Sequence, residues 1–111
     1  MYKEISCYDK DTTEHIVTES IFTALKHDFH GVSVPAYYLP LAKDLIPDGF
    51  VVASSVDYPG GLSSTGVRCH SSINIIRAGA NAVDLVANSN LLVNRKFKKF
   101  KEDIEANYKI C

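Results

Sequence analysis

The stretch FVVASSV, residues 50–56, is apolar or small at every position. Unbroken runs of this kind are typical of strands that are covered on both faces, as in parallel sheets. Three further short strands are predicted on either side of it, at residues 5–8, 31–34 and 82–87, and each is followed by a helical pattern. This alternation predicts right-handed βαβ units in the order βαβαβαβα and one parallel sheet.

Four helices are predicted between and after these strands. Asp11 and Glu14 have the spacing of a capping box, so the first helix is expected to open at Asp11. The second should begin near residue 36 or 37, and the third should be capped by Ser63 or Ser64 and end at Gly79. Residues 88–90 are predicted to be a loop, and the last helix to run from residue 95 to about 109.

The buried faces of the last two helices are predicted from apolar spacing. For the third helix they are Cys69, Ile73, Ile76 and Ala80, and for the last helix Phe97, Phe100, Ile104 and Tyr108. Five cations, Arg95, Lys96, Lys98, Lys99 and Lys101, crowd the start of the last helix. A nucleic-acid surface is one interpretation, but a solvated helix face is favoured, because no second basic element is present.

Composition restricts the class of protein. The 111 residues suit one modest domain, residues 1–111, and the net charge of −1 gives no global attraction to nucleic acid or anionic membrane. No apolar run approaches the length of a membrane span, and the first ten residues lack a signal-peptide pattern. Cys7, Cys69 and Cys111 are widely spaced, which predicts reduced thiols in a cytoplasmic protein. The four histidines lack metal-ligand spacing, so we expect no metal site. No cofactor is predicted either.

The stretch AVDLVAN, residues 82–88, places one carboxylate inside an otherwise apolar strand. Burying an unpaired carboxylate is costly, so Asp84 needs an explanation. It lies either on the solvent side of an edge strand or at a functional site. Strand alternation puts Ala82, Val86 and Asn88 on the face of Asp84, and Val83, Leu85 and Ala87 on the opposite face, toward the helices.

Four stretches together resemble the deoxyribose-phosphate aldolase family, a class I aldolase family built on a TIM barrel. They are SVPAYYLPLAKDLI at residues 33–46, VVASSVDYPGG at 51–61, IIRAGANAVDLVAN at 75–88 and FKKFKEDI at 97–104. The resemblance covers nearly the whole chain but only the first half of the family's fold. It therefore implies an α/β architecture, the parallel (βα)4 half of a (βα)8 barrel, since a full barrel needs about 250 residues.

The resemblance also implies a chemistry. In this family a lysine forms a Schiff base with an aldehyde, and the reaction converts 2-deoxyribose 5-phosphate to glyceraldehyde 3-phosphate and acetaldehyde, in the breakdown of deoxynucleosides. Asp84 matches the aspartate that helps to move protons. The family's two lysines lie on the sixth and seventh strands, beyond this chain. Lys10, between Asp9 and Asp11, is a poor substitute, because its charged form is stabilised.

Four other residues match positions around the family's substrate: Glu4, Ser6, Ser33 and Tyr58. Glu4 matches an acidic position and Ser6 a small hydroxyl position. Ser33 stands where the family often has cysteine, and Tyr58 replaces the usual phenylalanine, so its hydroxyl would make the pocket more polar. Each of these residues is equally compatible with plain packing or turn chemistry.

Two functions remain open at this stage. In the first, the chain is an aldolase half, truncated or split, that is inactive alone and whose complete barrel binds a small phosphorylated sugar or aldehyde. In the second, it is a non-catalytic half barrel that self-associates or pairs with a partner, because exposed sheet edges and apolar faces drive association. That interpretation expects an inner face made of Val52, Ser54, Val56 and Val86.

Overall fold

Four parallel strands form the sheet in the computed structural model, which describes residues 1–110. They are β1 (Glu4–Ser6), β2 (Gly31–Ser33), β3 (Val51–Val56) and β4 (Ala82–Leu85), and they lie in the sheet in chain order. The helices are α1 (Glu14–Lys26), α2 (Leu39–Leu45), α3 (Thr65–Arg77), α4 (Ser89–Val93) and α5 (Phe97–Ile110). The predicted parallel (βα)4 arrangement is confirmed.

The strand register separates two faces of the sheet. Ser6 lies beside Ser33, Ser33 beside Ala53, and Ser55 beside Asp84, so these side chains share one face. The opposite face of β3 carries Val52, Ser54 and Val56, which are 1% exposed. The prediction that these three residues lie on the inner face is wrong. They occupy the alternate positions of β3 and face the helices.

The hydrophobic core lies between this outer face of the sheet and the helices. Its fully buried members come from β2, α1 and α2 as well as from β3, and include Val17, Ile21, Ala24, Val32, Val34, Leu39 and Ala42. On the inner face Ser6, Ser55 and Asp84 stay at least partly exposed, so this face is accessible to form a site. Among residues 1–110 no helix combines the length and the apolar character needed to cross a membrane.

Several element boundaries differ from the predictions. Helix α1 begins at Glu14, not at Asp11, because Thr13 is its N-cap and accepts from the Ile16 N–H at 3.2 Å. A 3-10 turn over Ala36–Tyr38 precedes α2. The loop predicted at residues 88–90 contains the start of a short helix, α4.

The end of α3 agrees with the prediction that Gly79 terminates it. Gly79 has a φ of +120°, and the Ala80 N–H donates to the Ile75 carbonyl at 3.0 Å. This bond pattern satisfies carbonyl groups at the helix end and favours glycine, which reaches positive φ without strain.

The predicted buried faces of α3 and α5 are mostly wrong, although Ala80, just after α3, is buried as predicted and Cys69 and Ile73 are half-buried. Helix α3 buries Arg68, Ser72 and Ile75. Helix α5 buries Asp103 and Asn107, whereas Phe97, Ile104 and Tyr108 are exposed. The two helices meet through polar pairs, such as the hydrogen bond from the Ser72 hydroxyl to Asn107 Oδ1 at 2.9 Å. Buried polar groups are tolerated there because each finds a partner on the other helix.

One buried hydroxyl in the core gives a stability prediction. Ser54 Oγ is buried and has no hydrogen-bond partner, so Ser54→Ala removes an unsatisfied group at little change in shape. We expect the free energy of unfolding to rise by about 1 kcal/mol in urea denaturation. The matched control is Ser72→Ala, which breaks a satisfied buried bond and should lower stability by about 1 kcal/mol. A loss of stability in Ser54→Ala would contradict the assignment.

Candidate functional site

An open pocket of about 430 Å³ lies on the inner face, toward the carboxyl ends of the strands. Four of the five residues predicted to form a site line it: Ser6, Ser33, Tyr58 and Asp84. The lining also includes four hydroxyl groups and one carboxylate that were not predicted: Tyr8, Thr12, Ser20 and Ser55, and Asp9. In a parallel α/β sheet this end is where ligands bind.

Glu4, the fifth predicted residue, lies below the pocket rather than in its lining. Glu4 lies on β1, two residues before Ser6, and Asp84 lies on β4, two residues after Ala82. Because β1 and β4 are the two edge strands of the sheet, neither residue is paired with the other. Their carboxylates nevertheless interact.

The Glu4 carboxylate is held in an unusual environment. Burial raises its pKa, a hydrogen bond from the Tyr2 hydroxyl at 3.0 Å opposes the rise, and the nearby Asp84 raises the pKa further. The net result is a pKa above the usual 4.5. Burial, the bond to Glu4 and the charges of Glu4 and Asp84 raise the pKa of Tyr2 to about 12. The negative charge of Asp84 thus makes Glu4 harder to ionise than a free glutamate side chain.

This repulsion predicts a pH-dependent effect of Glu4→Gln. The folded state holds the proton of Glu4 more tightly than the unfolded chain does. The contribution of Glu4 to the free energy of unfolding is therefore complete below pH 4.5 and is lost as the pH rises through the folded-state pKa. Glu4→Gln should therefore raise the melting temperature at pH 7, and the gain should disappear at pH 4. Glu19→Gln, on an exposed part of α1, should show no such dependence. Equal gains at both pH values would contradict this explanation.

The loop after β3 is fixed beside the pocket by Asp57. This residue has a φ of +66°, and its carboxylate accepts from the Ser63 N–H and hydroxyl, both at 2.8 Å, and from Arg68 Nη1 at 3.0 Å. Burial alone would raise the pKa of Asp57, but these donors and the Arg68 charge outweigh it and hold the pKa below its usual value. Tyr58, the next residue, is thereby positioned at the pocket.

Arg68 connects this loop to β4 and α5. Its guanidinium is fully buried, donates to both carboxylate oxygens of Asp103 at 3.0–3.2 Å, and reaches the Val86 carbonyl at 2.6 Å. Gly61 allows the loop to approach closely, because a Cβ there would lie 2.6 Å from the Ala87 carbonyl oxygen. The end of the strand that carries Asp84 is therefore fixed from two sides. Sequence reasoning missed Arg68 and Asp103. The usable signal was that Arg68 and Ser72, and likewise Asp103 and Asn107, are polar residues four apart and so lie on one face of their helix.

Of the remaining candidates, Cys7 lines the pocket and the others lie outside it. Lys10 is exposed in the loop after β1. The basic start of α5 carries exposed ion pairs, Lys98 with Glu102 at 4.0 Å and Lys101 with Glu105 at 3.7 Å, which favours the solvated-face interpretation. Cys7 and Cys69 are free thiols, whereas Cys111 lies outside the described residues. Residues 1–110 hold no group of three or more His, Cys, Asp or Glu placed for a metal ion.

Comparison with curated proteins relates the chain to aldolases. It is 30% identical over 102 residues to the deoxyribose-phosphate aldolase of Actinobacillus succinogenes, covering 91% of this chain and 46% of that protein. It is also 30% identical over 95 residues to that of Coprothermobacter proteolyticus, covering 85% of this chain and 43% of that protein. The chain thus spans about half the length of the curated relatives it matches. No family model matches it.

Solved structures show the same relation in the fold. An aldolase called QR15 superimposes with a TM-score of 0.88 at 21% identity, covering 98% of this chain and 49% of that one. A putative deoxyribose-phosphate aldolase from Coccidioides immitis gives a TM-score of 0.89 at 18% identity, covering 96% and 43%. In sequence and in fold, the chain matches the N-terminal half of such aldolases.

Proposed function

From this match to the N-terminal half of deoxyribose-phosphate aldolases, we propose that the chain supplies one half of an aldolase barrel, with Asp84 as the proton-transfer carboxylate. The proposed reaction cleaves 2-deoxyribose 5-phosphate to glyceraldehyde 3-phosphate and acetaldehyde, as part of deoxyribonucleotide breakdown. The observation that carries the proposal is the position of Asp84, which lies beside Ser55 on the inner face and lines the pocket. The free thiols of Cys7 and Cys69 suit a reducing cytoplasm, the compartment we infer.

The reaction requires an amine that the pocket of this half lacks. No lysine lines the pocket in the described part of the chain. In the proposed mechanism a lysine of the complementary half condenses with the substrate aldehyde and releases water. Loss of the proton from the hydroxyl at C3 then breaks the C2–C3 bond, and the protonated imine takes up the electron pair. Asp84, through water, is suited to exchange the protons, while Ser6, Ser33 and Tyr58, which line the pocket, surround the substrate.

The open edges of the sheet indicate where the complementary half would lie. β1 and β4 each pair with a neighbour on one side only. Beside β4, the exposed apolar groove of about 250 Å³ is lined mainly by Val83, Leu85, Ile104 and Tyr108. The matched aldolases are about twice as long as this chain, so their second half has the right size to cover these edges.

Charge argues against a second copy of this chain as that half. Face-to-face pairing of two copies would bring two Glu4–Asp84 pairs, four carboxylates, toward one barrel axis. Glu4 and Asp84 already repel each other within one copy. Like charges disfavour one another in a desolvated interior, so a second copy would be repelled. A half that carries an inward-facing cation would instead be attracted to these carboxylates. Association through outer surfaces is a separate matter: one structural relative, from Aeropyrum pernix, is described as tetrameric, at a TM-score of 0.68 and 19% identity.

The proposal is tested by complementation. The chain is mixed with the separately produced C-terminal half of the Actinobacillus succinogenes aldolase, and glyceraldehyde 3-phosphate formation is followed from 2-deoxyribose 5-phosphate. We expect turnover from the mixture and none from either half alone. A mixture that neither forms a complex nor turns over substrate would overturn the proposal.

A trapping experiment locates the amine. Borohydride is added to this chain alone with 2-deoxyribose 5-phosphate, and the intact mass is measured. We expect no change in mass, because neither Lys10 nor any other lysine of the described chain lines the pocket. A stable adduct on any lysine of this chain would show that the half carries its own Schiff-base residue and would contradict the predicted inactivity.

A further inference from the structure

A tyrosine hydroxyl interrupts the hydrogen-bond ladder at the carboxyl ends of β2 and β3. The ladder is regular up to the bond from the Val34 N–H to the Ala53 carbonyl, at 3.0 Å. The next bond of a parallel ladder would join the Ser55 N–H to the Val34 carbonyl. Instead, the Ser55 N–H donates to the Tyr8 hydroxyl at 2.8 Å, and that hydroxyl donates to the Val34 carbonyl at 3.0 Å. Tyr8 thus replaces a direct bond between the strands by a bridge through its own oxygen.

The bridge fixes the direction of a neighbouring hydroxyl. Tyr8 has one hydroxyl hydrogen, and the Val34 carbonyl can only accept it. The 2.7 Å contact between the Tyr8 and Ser33 oxygens is therefore satisfied when Ser33 is the donor. Ser33 then presents lone pairs, and no hydrogen, to the pocket that it lines. Tyr8 itself is held by its ring, which packs on Tyr58 with centroids 5.3 Å apart.

Two carboxylates in the lining add further acceptors. The carboxylates of Asp9 and Asp84 line the pocket, and Lys, Arg and His are absent from its lining within the described chain. Ionised carboxylates accept hydrogen bonds and donate none. Such a pocket suits the hydroxyl groups of a neutral carbon chain and repels a phosphate group.

We propose that Tyr8 is a positioning residue that sets the ligand preference of this pocket: by holding Ser33 as an acceptor, it favours the donor hydroxyls of a sugar chain over groups that only accept. This inference rests on the proposed function and deepens it. It assigns to Ser33 of this half a hydrogen bond from a hydroxyl group of the substrate.

The test compares two probes that differ in hydrogen-bond donors. The isolated full chain, labelled with ¹⁵N, is titrated with 2-deoxyribose, which is rich in donors, and with acetone, which only accepts. Amide shifts of Ser33 and Ser55 report binding. In Tyr8→Phe the freed Ser33 hydroxyl can donate a hydrogen bond to the acetone carbonyl. We therefore expect the Kd of acetone divided by the Kd of 2-deoxyribose to fall about 5-fold, the effect of one neutral hydrogen bond. Tyr37→Phe, on an exposed ring, should leave the ratio unchanged.

The outcomes separate a preference from a loss of rigidity. If Tyr8 had a purely structural role, the Tyr8→Phe substitution would weaken the binding of both probes by the same factor. An unchanged ratio of the two Kd values would therefore overturn the proposal. Failure of 2-deoxyribose to shift Ser33 or Ser55 in the wild-type chain would overturn it as well. Turnover in the complementation experiment with no ratio change would refute this inference alone, whereas a ratio change without turnover would refute the proposed function alone.

Discussion

Arg68→Met should destabilise the chain by about 3–5 kcal/mol, the usual cost of removing one partner of a buried ion pair. The substitution leaves Asp103 as a charge that is 3% exposed, with the Thr65 hydroxyl as its remaining side-chain donor. It also strips the Val86 carbonyl and the Asp57 carboxylate of a donor. The free energy of unfolding of small domains is about 5–15 kcal/mol, so urea denaturation should show the midpoint falling sharply.

Two further variants establish that the effect belongs to the ion pair. Arg77→Met removes a cation from the exposed end of the same helix and should change stability by less than about 0.5 kcal/mol. The double variant Arg68→Met/Asp103→Leu removes both charges and should recover much of the loss, since a buried pair is often replaceable by apolar residues. If Arg68→Met cost less than about 1 kcal/mol, the buried network would not be what holds α3, α5 and the end of β4 together.

The fold was predictable because its signals are local. The strands β2 and β3 are short runs of apolar or small residues, β1 and β4 each add one carboxylate, and a helical period separates each strand from the next. The single charge in the 82–88 stretch also fixed the parity of β4: Asp84 lies on the inner face, while Val83 and Leu85 pack toward the helices. Asp84 pairs with Ser55, so Ser55 also lies on the inner face. Strand alternation from Ser55 then places Val52, Ser54 and Val56 on the face toward the helices.

The helix faces and most of the site were not predictable in this way, because they depend on partners far along the chain. Arg68 and Asp103 are 35 residues apart, and each is a poor core residue until the other is present. An apolar-periodicity argument assigns Phe97, Ile104 and Tyr108 to the core, but no described element covers them. The Tyr8 bridge to Ser55 spans 47 residues and depends on where the ladder between β2 and β3 ends.

Asp84→Asn should lower kcat of the complemented barrel by about 10²- to 10⁴-fold, the usual contribution of a general acid or base. The change removes the proton-exchanging group at nearly constant shape. No cation in the described chain is paired with Asp84, so the substitution breaks no ion pair. It also removes the charge that raises the pKa of Glu4, so the half should fold at least as well as the wild type. We therefore expect the loss in kcat, with substrate KM and the complex measured by light scattering little changed.

The control for this substitution is Asp44→Asn, the same chemical change at an exposed position of α2. It should leave kcat within experimental error of the wild type. A kcat of Asp84→Asn within about threefold of the wild type would rule out proton transfer by this carboxylate, since general acid–base groups contribute far more. A large rise in KM with kcat unchanged would instead make Asp84 a binding group, because uniform loss of ground-state and transition-state binding raises KM alone. The split between kcat and KM therefore decides which role the inner-face carboxylate has.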